Sequence, residues 1–381
     1  MSGTDITRLL EAIQKKIDAV DSSASSGDLL RLLSSVRQAG TGSLLSYDNQ
    51  SQIPNLLDGT PDPGMIAYTL DSDKLYFQKG SWVGKELPIT PFQGSNFGYA
   101  SGGSSGTNVI DKFSFATDGN ASNVGNLTTG RFNVAGQSSA TYGYNSGGSG
   151  VPSSNAINKF PFASDFSGTA TNVGDLTVAK YNSAGQSSIG NGFGYTTASE
   201  GSPSVTYNVI DKFSFATDGD ATDVGDMSIH RWELTGQSST TDGYASGGVP
   251  STYGNTIDKF SFTTDGDATD VGDLSFGRRP WSGQSSTTHG YSSGGFSPAG
   301  RVDIIDKFPF STDANATDVG DLTVGKNANC GQSSTAHGYS SGGYDTGVSN
   351  IIEKFPFASD GNATDVGDLT VAGYGAAGQQ Y

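Results

Sequence analysis

The stretch "IDKFSFATDGDATDVGD" (Ile210–Asp226) returns one unit later as "IDKFSFTTDGDATDVGD" (Ile257–Asp273). A chain that repeats itself this closely is confined to folds in which one small unit packs against copies of itself. The phenylalanine of its Lys-Phe pair recurs at 113, 160, 213, 260, 308 and 355, spacings of 47, 53, 47, 48 and 47. A period of about 40–50 residues belongs to propeller blades rather than to shorter solenoid repeats. Each unit divides into four segments: an "AGQSS"-like one (Gly136–Ser139), a "GYASGG"-like one (Gly243–Gly248), "NVIDKFSF" (Asn208–Phe215) and an "ATDVGDLT"-like one. The Phe pair of the third alternates as a half-buried strand requires. Glycine pairs and Asp-Gly turns punctuate the segments. Four strands per unit and six units predict an all-β, six-bladed propeller.

The two ends of the repeat region predict how the ring closes. The first unit starts near "NFGYASGG" (Asn96–Gly103), with only "FQGS" where its first strand should be. The last runs on into "YGAAGQQY" (Tyr374–Tyr381), a surplus first strand. A C-terminal strand that completes the N-terminal blade closes the ring and leaves no open sheet edge. Pro161, Pro309 and Pro356 replace Ser in the third segment. Proline cannot donate to a ladder, so the position must be a bulge or face an unpaired side, and of these a local kink is expected.

Double glycines after an apolar-aromatic strand, in units of this length, resemble kelch repeats over Asn96 to Tyr381. Phe stands where kelch units have Tyr, "VGDL" replaces their later Trp, and the third unit reads "GYTTAS" (Gly194–Ser199) without the glycine pair. The resemblance implies architecture and no chemistry; the Tyr, His and Cys cluster of kelch-type copper oxidases is missing. Ahead of the propeller, "PDPGMIAYTLDSDKLYFQKGSWV" (Pro61–Val83) places two aromatic strands around an Asp-Ser-Asp turn. It resembles a segment of tailed-bacteriophage fibre and virion structural proteins, and the Gly/Ser-rich repeats behind it are similar to virion proteins of marine phages. Residues 4–20 put Ile6, Leu10, Ile13, Ile17 and Val20 at alternating spacings of four and three, a short heptad seam whose Ile content favours a trimer. A second helix is expected over Asp28–Gln38. The expected layout is a helical attachment and oligomerisation region (1–43), a β-hairpin neck module (44–90) and the propeller (91–381).

Composition closes several function classes. With 38 acids against 21 bases, duplex nucleic acid is not an expected partner. No apolar run approaches the roughly 20 residues of a membrane span, so no membrane insertion is expected. The N-terminus carries no secretory pattern, so synthesis in the host cytoplasm is expected. The one cysteine, Cys330, cannot form an intramolecular disulfide. Nucleophilic catalysis wants a Ser or Cys beside His and an acid. Two of the three histidines, His289 and His337, are repeat-equivalent and read as turn residues. No catalytic residue and no cofactor are expected. The Asp-rich segments offer weak calcium candidates, Asp218, Asp220 and Asp223 with Asp265, Asp267 and Asp270. They thin to Asn in other units, and Asp-Gly is ordinary turn chemistry.

The repeats differ on one side. In an up-and-down blade, loops two-three and four-one share a face, and these vary: "TGRFNVA", "VAKYNSA", "SIHRWELT", "SFGRRPWS" and "TVGKNANC". Thirteen bases follow residue 90; six are the strand Lys and seven fall in these loops. Aromatic rings beside Arg suit sugars or anionic polymers. The expected ligand-binding residues are Arg131, Phe132, Lys180, Tyr181, Arg231, Trp232, Arg278, Arg279, Trp281 and Arg301, on a basic face set against an acidic one. The resemblance and this face imply a virion tail-fibre-type protein: other virion proteins bound through residues 1–90, and a host-surface glycan or envelope polymer bound by the propeller. A structural decoration of capsid or tail is the alternative, and an envelope polysaccharide depolymerase the third reading.

Overall fold

The computed structural model describes four strands within the first ninety residues, then Gly94 and residues 96–380 apart from 151–152, 164–165, 202–204 and 250–252. The chain divides into two units, Met1–Thr90 and Pro91–Tyr381. In the first, Leu45–Tyr47 runs parallel to Ile66–Thr69, followed by antiparallel Lys74–Lys79 and Ser81–Glu86. The helices expected over residues 1–43, with the seam Ile6, Leu10, Ile13, Ile17 and Val20, lie outside the described residues.

The second unit is a ring of six four-stranded antiparallel blades. Blade 4 shows the plan in one run of chain: Thr235–Ser238 innermost, then Asp242–Ser246, Thr256–Ser261 and Thr269–Asp273. The innermost strands of blades 2, 3, 5 and 6 begin at Ala135, Ala184, Ser282 and Cys330. Blade 1 takes its innermost strand, Ala377–Gln380, from the far end of the chain. Ala377 pairs with Ser101 and Gln379 with Tyr99, ahead of Val109–Ser114 and Ser122–Asn126.

Three repeated contacts hold each blade to the next. The Tyr of "GY" stacks on the second Phe of the following blade's third strand, with ring centroids 4.8 Å apart for Tyr99–Phe162 and 4.7 Å for the closing pair Tyr339–Phe115. These rings, with Ile110, Leu127 and their counterparts, are the interior. The innermost Gln side chain donates across each interface to the next Tyr carbonyl, as Gln137 Nε2 does to Tyr195 O at 2.9 Å and Gln379 to Tyr144 O at 3.0 Å. On the outside, at five joints among the described residues, strand Lys reaches the next blade's turn, as Lys212 does to Asp265 at 2.7 Å and Lys307 to Asp360 at 2.8 Å.

The glycine content follows from close approach. A Cβ on Gly136 of "AGQ" would overlap the Gly378 carbonyl oxygen, and the same clash repeats at Gly185, Gly236, Gly283, Gly331 and Gly378 around the axis. The first glycine of the "GG" pair has a left-handed backbone, φ 69 at Gly247. In blade 3 that place holds Ala198 at φ 49, a conformation that an L-residue adopts at a penalty of about 1–2 kcal/mol. The strands there lengthen into a hairpin, Phe193–Gly201 with Val205–Ser214, as they also do in blade 5, which keeps its glycine pair.

The expected kink at proline is not found. Pro161, Pro309 and Pro356 each end the third strand, beyond the last residue paired to strand four. The register shift lies earlier, at Ile157/Asn158 in a proline blade and equally at Ile257/Asp258 in a serine blade. A residue with no N–H to give is tolerated where no ladder bond is asked of it.

Candidate functional site

Loops two-three and four-one meet on one face, as isolated bridges Phe132–Ser149, Tyr181–Glu200, Trp232–Val249, Arg279–Phe296 and Asn327–Tyr344 demonstrate. What this face presents differs from expectation. Arg131, Lys180, Arg231 and Arg278, with Lys326, are at most 2% exposed. They turn inward under the loops and clamp the next blade, so none of the five is available to a ligand. Lys180 pairs with Asp211 at 2.8 Å, Arg231 with Asp258 at 3.2 Å, Arg278 with Asp306 at 2.7 Å, and Lys326 with Glu353. Burial pulls the Lys180 and Arg231 cations below their usual values, and the carboxylates oppose that pull. The expected basic face is thus largely internal wiring.

Two joints break this pattern. At Arg131's joint Asn158 stands at the repeat position of the acid, and the guanidinium donates instead to the Gly147 and Ala156 carbonyls, each at 2.9 Å. Without a counter-charge, burial lowers it to about 10. At the closing joint Gly373 replaces the base while the acid, Asp111, stays 3% exposed. Burial raises its carboxyl above the usual range despite hydrogen bonds from Thr370.

What the face does present is a continuous ladder of rings and guanidinium groups across blades 4 to 6 and into the closing joint. Arg279 is fixed by Glu233 at 2.8 Å and lies over Tyr253, 4.9 Å from the ring centre. Its Arg279–Phe296 contact, 5.9 Å, leads to Arg301, which is 6.0 Å from Phe296 and 4.6 Å from Tyr344. Tyr344 meets Tyr374 edge-on at 6.0 Å, and Tyr374 meets Phe132 at 6.3 Å. These groups are half-buried, and Arg301 is exposed. Phe296 and Arg301 are directly paired on the long hairpin of blade 5, His289–Ser297 with Gly300–Pro309, whose ladder bonds make a rigid platform.

The other side of the face is acidic. Tyr181 engages Glu200, and burial together with that carboxylate raises its phenol. Asn182 Nδ2 also donates to Glu200 at 3.3 Å. Burial raises Glu233 as well, against the pull of Arg279 and with a push from Glu200. Trp232 is half-buried beside Val249. Trp281 lines a polar axial channel of about 90 Å³, its indole nitrogen buried without a hydrogen-bond partner.

Of the expected residues, then, Phe132, Arg279 and Arg301 belong to the ladder, Tyr181 and Trp232 to the acidic side, and Trp281 to the channel mouth. Tyr253, Phe296, Tyr344 and Tyr374 were not expected. Each follows a glycine or loop residue in a two-three or four-one segment, so a lone aromatic in an otherwise polar loop was the available signal.

The calcium candidates have other work. Asp218 holds Lys159, Asp220 accepts from Asp175 N at 3.0 Å, and Asp223 closes a turn on Gly225 N. Asp265, Asp267 and Asp270 do the same for Lys212, Asp226 and Gly272. No group of three or more metal-ligating side chains occurs among the described residues. No protein-family model and no curated protein matches the chain.

Proposed function

We propose that this chain is a virion protein of the tail-fibre kind, whose propeller binds a glycan of the host surface through the ring-and-guanidinium ladder. The ladder is the observation that carries the reading. Most other described aromatic rings are committed to blade packing, whereas Tyr253, Phe296, Tyr344, Tyr374 and Phe132 line one half-open face, with Tyr181 and Trp232 on its acidic side. Flat apolar rings beside polar fork-shaped donors suit the CH faces and hydroxyls of sugars. The resemblance of Pro61–Val83 to fibre segments supports the virion setting and an N-terminal attachment to other virion proteins. Weak individual contacts are sufficient there, because several copies on one particle bind together.

The test is binding of the full-length protein to a panel of bacterial surface polysaccharides, beside the variant Phe296→Ala/Tyr344→Ala/Tyr374→Ala. Binding lost in a variant whose circular dichroism and melting are kept supports recognition at the ladder. Equal binding by parent and variant removes the site. No binding by either, with the chain recovered in particles, favours the decoration role. Release of reducing sugar would turn the reading to a depolymerase.

A further inference from the structure

From the same face we infer that Arg301 is its anion-recognising residue, and that the polymer bound carries carboxylate, sulfate or phosphate groups; this rests on the glycan reading above. Arg301 differs from the other arginines of the propeller in what its fork can do. Arg131, Arg231 and Arg278 are buried in backbone and carboxylate bonds. Arg279 is neutralised by Glu233. Arg301 is exposed, and among the described residues no carboxylate pairs with it.

The side chain is nonetheless held. Its Nε donates to Asn327 Oδ1 at 2.9 Å, and its guanidinium lies over Tyr344 at 4.6 Å and within 6.0 Å of Phe296. Nε is the end nearest the chain, so the two terminal nitrogens remain for a ligand. A guanidinium fixed by stacking and by one hydrogen bond loses little freedom when it grips an oxyanion with its remaining fork. The charge of the chain, −17, opposes polyanions at long range. Screening over about 8 Å at physiological ionic strength confines that repulsion, so the local fork decides once contact is made. The carboxylate at Glu200 complements it: it would accept from a sugar hydroxyl and repel an anionic substituent, which gives the ligand a direction across the face.

The experiment uses the full-length protein and matched polymer pairs: polygalacturonate against its methyl ester, dextran sulfate against dextran, and a glycerol-phosphate teichoic polymer against a neutral galactan. At least one anionic member is expected to bind more tightly than its neutral partner. Arg301→Gln should weaken that binding by about tenfold or more, and Arg301→Lys should fall between, since a point charge replaces a fork. Melting should be unchanged, because the side chain is exposed. Which anionic member binds identifies the source of the oxyanion. Neutral members binding as well as anionic ones, lost in Phe296→Ala/Tyr344→Ala, would overturn the assignment while leaving the glycan reading intact. Binding of no polymer of either kind would remove both.

Discussion

The joint between blades 4 and 5 and the joint between blades 6 and 1 share one plan and differ in whether a buried cation completes it. In both, the second residue after strand four caps an acid of the next blade. Ser275 N reaches Asp306 at 3.0 Å, and Thr370 N and Oγ1 reach Asp111 at 2.7 and 2.5 Å. At the first joint Arg278 then adds its ion pair and bonds to the Gly294 and Ser292 carbonyls at 3.1 and 3.0 Å. At the second Gly373 adds nothing, and a Cβ there would find only Ser104 Oγ, 3.9 Å away. The ring closes all the same. The cap therefore sets the geometry, and the buried charge pair is an addition whose desolvation offsets much of its attraction.

The sharpest way to break this comparison is Arg278→Met, which leaves Asp306 buried without its cation. A loss of about 3–5 kcal/mol is expected in urea unfolding. The double variant Arg278→Met/Asp306→Leu should recover most of it; a double variant as unstable as the single one would mean the pair itself holds the joint. Asp111→Asn works in the opposite direction and copies what blade 2 has at Asn158, whose Oδ1 accepts from Thr128 N and Oγ1. It should stabilise on the order of 1 kcal/mol at neutral pH.

That gain has a definite pH dependence. Because the folded carboxyl of Asp111 is raised above its ordinary 3.8, its favourable contribution is complete below that pH. It is lost as pH rises through the folded value. The advantage of Asp111→Asn should accordingly vanish in acid and open as pH increases; a constant difference across pH would refute the assignment. The smallest effect belongs to the exposed clamps. Lys307→Ala, which removes a pair whose acid is 58% exposed, should change stability by less than about 1 kcal/mol. A larger loss would show that the outer Lys–Asp pairs act together.

The same comparison explains what could be read from the sequence. Blade number, strand order and the seam followed from periodicity, because "AGQ", "GY" and "VGD" recur wherever two backbones or two rings must meet. The hairpin extensions of blades 3 and 5 were legible only as longer loops. The candidate site was misread at one point of physics. A base that returns once per repeat, as at Arg131, Lys180, Arg231, Arg278 and Lys326, is a structural signal of the same kind as the strand Lys, even when its neighbours vary. Direction was the hidden variable. Arg278 and Arg279 are adjacent in the chain, and nothing in their side chains tells which turns under the loop and which lies across Tyr253.

The seam also governs the order of assembly. Ser101 waits for Ala377, a partner 276 residues away, while blades 2 to 6 form from neighbouring segments. Five blades can thus be in place while the first still presents Phe97–Ser101 as a bare inner edge facing the axis. Closure over so long a span is a slow, late event. Until it happens, the slot is open to the same strand of a second copy, so any strand exchange would rise with chain concentration during folding.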